Sequence, residues 1–118
     1  MPRANKPVVV SRYHLEQSVV DYANAFFDFI PFDDCRASQW RQIADAVMVR
    51  GESITSKDVQ DLGPRLKFVG KHGVGTNAIA VKELAVKGIK TMNAPGVNVS
   101  HHTIFTLTIR RALWQNLL

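Results

Sequence analysis

One cysteine, Cys35, excludes an internal disulfide and leaves no CxxC pair for a redox or metal motif, which suits a reducing, cytoplasmic setting. No apolar run approaches the ~20 residues of a membrane span. The opening MPRANKP has no hydrophobic signal-peptide region, so neither a membrane nor export is expected. At 118 residues the chain has room for one domain with a real core, but not for the usual two-domain cofactor enzyme. Acidic residues are scarce in the second half. Residues 1–61 hold seven Lys/Arg against nine Asp/Glu, a net −2, whereas residues 62–118 hold eight Lys/Arg against Glu83 alone, a net +7. A field of that sign favours an anionic ligand. Nucleic acid is not expected, because the lysines are scattered without aromatic interleaving or a recognition helix.

What is present is organised around residues 66–98, LKFVGKHGVGTNAIAVKELAVKGIKTMNAPGVN. Leu66–Val69 is a short apolar run, and Gly73-Val74-Gly75 is a tight bend where backbone amides can converge. Asn77 can cap a helix whose apolar stripe is Ala80, Leu84 and Ala85. Gly88 ends that helix, and Ile89–Met92 begins another strand. This is a βαβ unit with both turns at the carboxyl ends of its strands, where open parallel sheets bind ligands.

The remaining chain repeats the alternation. Pro7–Ser11 is a first strand, apolar without alternation, as in a sheet covered on both faces. His14–Tyr22 has helical spacing, and Phe26–Ile30 is a second strand closed by Pro31. Asp33-Asp34 could belong to a metal or acid/base pair, but Asp34 as a helix cap into Arg36–Ile43 is the favoured reading, since no further ligand lies nearby. Ala44–Val49 is a third strand. Thr55 or Ser56 caps a helix that runs to Leu62 and stops at Gly63-Pro64. Five strands alternating with helices predict an α/β, doubly wound parallel sheet in the order 2-1-3-4-5. Residues 103–118 read as a long helix with apolar residues around most of its circumference. Such a helix needs cover on more than one side, which predicts a homodimer built or exchanged through it.

Gly73-Val-Gly75-Thr-Asn-Ala78 formally matches the dinucleotide fingerprint GxGxx(G/A). That motif also wants an acidic residue about 20 positions on to hold a ribose, and no acid follows Glu83, so no nucleotide cofactor is expected here. A metal is not expected either. His101-His102 are adjacent, point in different directions and lack a third ligand.

Val49-Arg50-Gly51 with Ile54-Thr55, then Leu66–Val69, Gly73-Val-Gly75-Thr76, Gly88-Ile89 and Asn93-Ala-Pro-Gly-Val-Asn98, follow one another as they do in a known family. The chain resembles the substrate-binding half of the D-isomer-specific 2-hydroxyacid dehydrogenases, the phosphoglycerate dehydrogenases especially. The resemblance implies a flavodoxin-like domain over residues 1–100, with 101–118 as the helix beyond it. It also implies that substrate carboxylate is held by Arg50 in the turn after the third strand, by the backbone of Gly73, Val74 and Gly75, and by Asn98; Gly51, next to Arg50, and His102, at the start of the last helix, are further candidate pocket residues. An arginine fork and unpaired amides are suitable donors for that task.

Departures from the family pattern are as informative. Where the family usually reads Gly-x-Gly-x-Asp-Asn-Ile-Asp, this chain has Asn77, Ala78 and Ala80, and Gly51 stands where serine is common. The family's cofactor fingerprint and its catalytic arginine, glutamate and histidine would lie beyond Leu118. Hydride transfer needs a carrier held against the substrate, so a stand-alone dehydrogenase is not expected. Two readings remain. One is a small carboxylate or carbonyl binder that catalyses a non-redox isomerase, cyclase or lyase reaction, with His72, Lys71 or His101 as acid or base. The other is a non-catalytic ligand-binding remnant or the isolated substrate domain of a longer dehydrogenase.

Overall fold

The computed structural model describes residues 6–72 and 78–94. The chain runs β1 (Val8–Ser11), α1 (Gln17–Asn24), β2 (Asp28–Ile30), a 3-10 turn (Cys35–Gln39) leading into α2 (Trp40–Ile43), β3 (Ala46–Val49), α3 (Ser56–Gln60), β4 (Phe68–His72), α4 (Val81–Val86) and β5 (Lys90–Ala94). All strand pairs are parallel and the order is β2-β1-β3-β4-β5. The sequence expectation of a doubly wound sheet holds. The expected helix 103–118, and with it the division at residue 100, lies outside the described residues.

Side-chain alternation along the strands feeds two cores. Val10, Ile30, Val47, Val49 and Val69 face α2, α3 and α4, together with Trp40, Val59 and Leu84. Val9, Phe29, Ala46, Met48 and Phe68 point the other way, toward Val19 and Ala23 of α1. Every residue of β3 is buried, as a central strand covered on both faces requires.

Local chemistry sets the element ends. The Asp34 carboxylate accepts from the Arg36 backbone N–H at 2.8 Å, so the capping reading of the acidic pair is correct for Asp34. Between Thr55 and Ser56 the cap is Thr55, whose hydroxyl accepts from the Asp58 N–H while Asp58 reaches back to the Thr55 N–H, a reciprocal capping box. Three expectations need correction. The helix after the glycine turn starts at Val81 with Ala80 at its cap position, so it begins later than a cap at Asn77 would give. The fourth strand begins at Phe68, beyond Leu66. It extends past Val69 to His72, which is therefore a strand residue paired with Ala94.

Candidate functional site

In a sheet ordered 2-1-3-4-5 the chain leaves β1 toward β2 on one side and reaches β3 on the other, so the carboxyl ends of β1 and β3 flank the natural ligand crevice. Arg12 and Tyr13 follow β1, and Arg50 follows β3. The Arg12 N–H donates to the Met48 carbonyl at 2.9 Å, carrying the ladder one step past β1. Ser11, fully buried, donates through its hydroxyl to the Tyr13 carbonyl at 2.7 Å and locks the turn.

The turn after β3 is held from two directions. The Arg50 N–H donates to Oε1 of Glu52 at 2.8 Å, and the Lys71 ammonium on β4 donates to the Arg50 carbonyl. Register explains the second contact, since Val49 and Lys71 are direct partners across β3 and β4. With its backbone engaged, the Arg50 side chain stands exposed, and its guanidinium makes no ion pair among the described residues. Gly51 is exposed as well, and a side chain added there would meet nothing within 4 Å. Behind Arg50 the buried Tyr13 phenol is pushed well above its ordinary pKa by desolvation, an effect opposed by the positive charge of Arg50 and reinforced by Glu52.

The Arg50 turn is also pinned to the chain that leaves the glycine turn. Ile54 forms a parallel bridge with Ile79, donating to the Ala78 carbonyl at 2.9 Å and accepting from the Ala80 N–H at 2.8 Å. Residues 73–77 are therefore bracketed between His72, at the end of β4, and Ala78, fixed against Ile54. Gly73, Val74, Gly75, Asn98, His101 and His102 themselves lie outside the described residues.

The same bridge bears on the nucleotide fingerprint. In a dinucleotide loop the third small residue sits in the first turn of the helix, with phosphate at the helix N-terminus. Here Ala78 and Ile79 are tied to Ile54, the helix starts only at Val81, and β5 ends on Asn93-Ala94 without an acid. These residues do not fit a nicotinamide dinucleotide. Nor do the described residues contain a group of three or more His, Cys, Asp or Glu arranged for a metal ion.

The sequence reading missed Arg12 and Tyr13. Their signal was topological: the first residues beyond β1 border the crevice once the order 2-1-3 is accepted. Glu52, which fixes the Arg50 amide, carries no motif signal of its own in the sequence.

The described geometry accords with what the chain resembles. The catalytic domain of D-isomer specific 2-hydroxyacid dehydrogenases matches residues 8–114. Erythronate-4-phosphate dehydrogenase of Shewanella sp. (strain MR-4) is 39% identical over 59 residues, covering 50% of this chain and 16% of the relative. Hydroxypyruvate reductase of Thermotoga maritima is 33% identical over 54 residues, covering 46% of this chain and 18% of the relative. The chain thus spans less than a fifth of either relative's length. In fold it superposes on a 2-hydroxyacid dehydrogenase from Ketogulonicigenium vulgare with a TM-score of 0.64 at 18% identity, over 78% of this chain and 30% of that one. The chain belongs to the D-isomer specific 2-hydroxyacid dehydrogenase family, through the catalytic, substrate-binding domain of those enzymes.

Proposed function

We propose that this domain binds a small 2-hydroxy or 2-oxo acid at the carboxyl edge of β3 and β4, with the Arg50 guanidinium and the backbone of residues 73–75 as carboxylate donors. The observation that carries this reading is the pinning of the Arg50 turn by Lys71 on one side and by the Ile54–Ile79 bridge on the other. It presents an exposed arginine at the carboxyl ends of β3 and β4 without spending its charge on a neighbour. Erythronate 4-phosphate and hydroxypyruvate, named for two relatives, both carry a carboxylate next to a hydroxyl or carbonyl carbon, as the proposed ligand does. Lys71 acts as the tether of the turn, and Asn98 and His102 complete the pocket. Binding and orienting an acid in this way lowers the barrier of whatever step follows.

A non-redox reaction of isomerase, cyclase or lyase type is the second reading. Its acid or base would be His72, the last residue of β4, or His101. On a 2-oxo acid such reactions commonly proceed through an enol.

Calorimetric titration with glyoxylate and pyruvate tests the binding. Arg50→Ala is expected to weaken it about tenfold or more, the loss typical of a charged hydrogen-bonded contact, and equal affinity in parent and variant would remove Arg50 from the site. Deuterium uptake at the pyruvate methyl group, followed by NMR, tests the reaction. Exchange above the buffer rate that disappears in His72→Ala supports enolisation, and exchange at the buffer rate leaves a binding domain.

A further inference from the structure

A second cleft opens beyond the other end of the crevice, past the carboxyl ends of β1 and β2. It encloses about 510 Å³ and is lined by Arg12, Phe32, Cys35, Ser38, Trp40 and Arg41, among others. Two guanidiniums stack against the buried Trp40 ring, Arg12 at 5.1 Å and Arg41 at 5.0 Å from its centroid. Their charges are in different states. Arg41 donates from Nε at 2.9 Å and from Nη2 at 2.5 Å to Oδ1 of Asp58. The Asp34 carboxylate, which also borders the cleft, is taken by the Arg36 fork at 3.1 and 3.2 Å. Arg12 donates from Nη1 to the Ser53 carbonyl at 2.7 Å, and among the described residues no carboxylate stands within ion-pair distance of it. Glu52 and Asp58 act on it only through space, and half-burial makes its charge costlier to leave uncompensated. Phe32, an aromatic ring 46% exposed, stands at the same cleft.

We propose that this cleft binds a small carboxylate with a flat apolar body, the carboxylate on the Arg12 fork and the ring against Phe32. Stacking on Trp40 holds the guanidinium plane, so the fork is oriented before the ligand arrives and little side-chain freedom is lost on binding. The site is separate from that of Arg50, although the Arg12 bond to Ser53 joins their walls.

The test is titration of the 118-residue chain, labelled with nitrogen-15, with benzoate, following the Arg12 Nε–Hε resonance. Saturable movement of that resonance is expected. Arg12→Lys, which keeps the stem and the charge but loses the fork, should weaken binding about tenfold. Phe32→Ala, at an exposed position, should weaken it severalfold with no change in melting temperature. Arg50→Ala should leave benzoate affinity as it was, whatever it does to glyoxylate, so the two sites fail or succeed independently. The proposal is overturned if benzoate moves Arg50 instead of Arg12, if either cleft variant binds like the parent, or if inorganic phosphate binds as tightly as benzoate.

Discussion

Asp58 shows how much one carboxylate can carry. Its Oδ1 receives the Arg41 fork, and its Oδ2 accepts from the Thr55 N–H at 2.9 Å and hydroxyl at 3.2 Å. Burial by itself would raise its pKa, but the hydrogen bonds from Thr55 and Arg41 together hold it below the usual carboxylate value. The sign of the linkage follows. A carboxyl whose pKa is depressed by folding adds stability above the unfolded value near 4, and that stability is lost as pH falls through the folded value. Asp58→Asn is therefore expected to cost about 1–2 kcal/mol at pH 7, the sum expected for a weakened cap and a partly exposed pair. The gap between parent and variant should begin to narrow only below about pH 4 and close once the pH has fallen through the folded value, and urea unfolding followed from pH 7 downward checks both statements. The cap half of this arrangement was legible, because Thr55 and Asp58 stand at capping-box spacing. The Arg41 half was not, since only the fold brings residues 17 apart together. Gly51 supports a second residue-scale prediction. Its backbone does not need glycine and its surroundings are open, so Gly51→Ser should change the unfolding free energy, measured by urea titration, by no more than the roughly ±0.5 kcal/mol usual for a surface site.

At the scale of an element, α4 was read correctly at its end and wrongly at its start, for one physical reason. Its end is local. The Ile89 N–H returns to the Leu84 carbonyl and the Gly88 N–H to the Ala85 carbonyl, both at 2.9 Å, with Gly88 at φ +80° and the Ile89 and Leu84 side chains buried together. This is a Schellman motif, written in the sequence as a glycine after an apolar stripe. Its start is not local. Ala78 and Ile79, which a cap at Asn77 would have placed in the first turn, are held as a bridge by Ile54, and no pattern within the segment reports that partner. Because open space surrounds Gly88, replacing it probes backbone conformation alone. Gly88→Ala should cost about 1 kcal/mol, the penalty of a left-handed β-carbon, and Gly88→Asn should cost less. Denaturant midpoints at unchanged slope would verify this. Equal midpoints for parent and Gly88→Ala would mean that the C-terminal turn rearranges at no cost.

For the molecule as a whole, strand order was legible because alternating strands and helices leave few ways to cover a parallel sheet on both sides. The site was legible only in part. Arg50 was marked by the motif around it, whereas Arg12 and Tyr13 became neighbours of the crevice through topology. Coverage of the sheet bears on assembly. Among the described residues β5 is one of two edge strands, and a cleft of about 610 Å³ beside it is lined by Phe68, Val81, Ala85, Ile89 and Met92, among others. Val81 is 37% and Val86 88% exposed on α4. The sequence after β5 adds Ile104, Phe105, Leu107, Ile109, Leu113, Trp114, Leu117 and Leu118, more apolar surface than one face of a small domain can take. We propose that a second copy of the chain covers the remainder, so light scattering at micromolar concentration should give twice the chain mass. Leu113→Glu places a charge in the middle of that apolar stretch and should shift the mass toward the monomer, since an unpaired charge is costly to bury in an interface. A parent chain that is folded and monomeric would remove the second copy from the account. A Leu113→Glu variant that stays dimeric would move the interface away from residues 103–118.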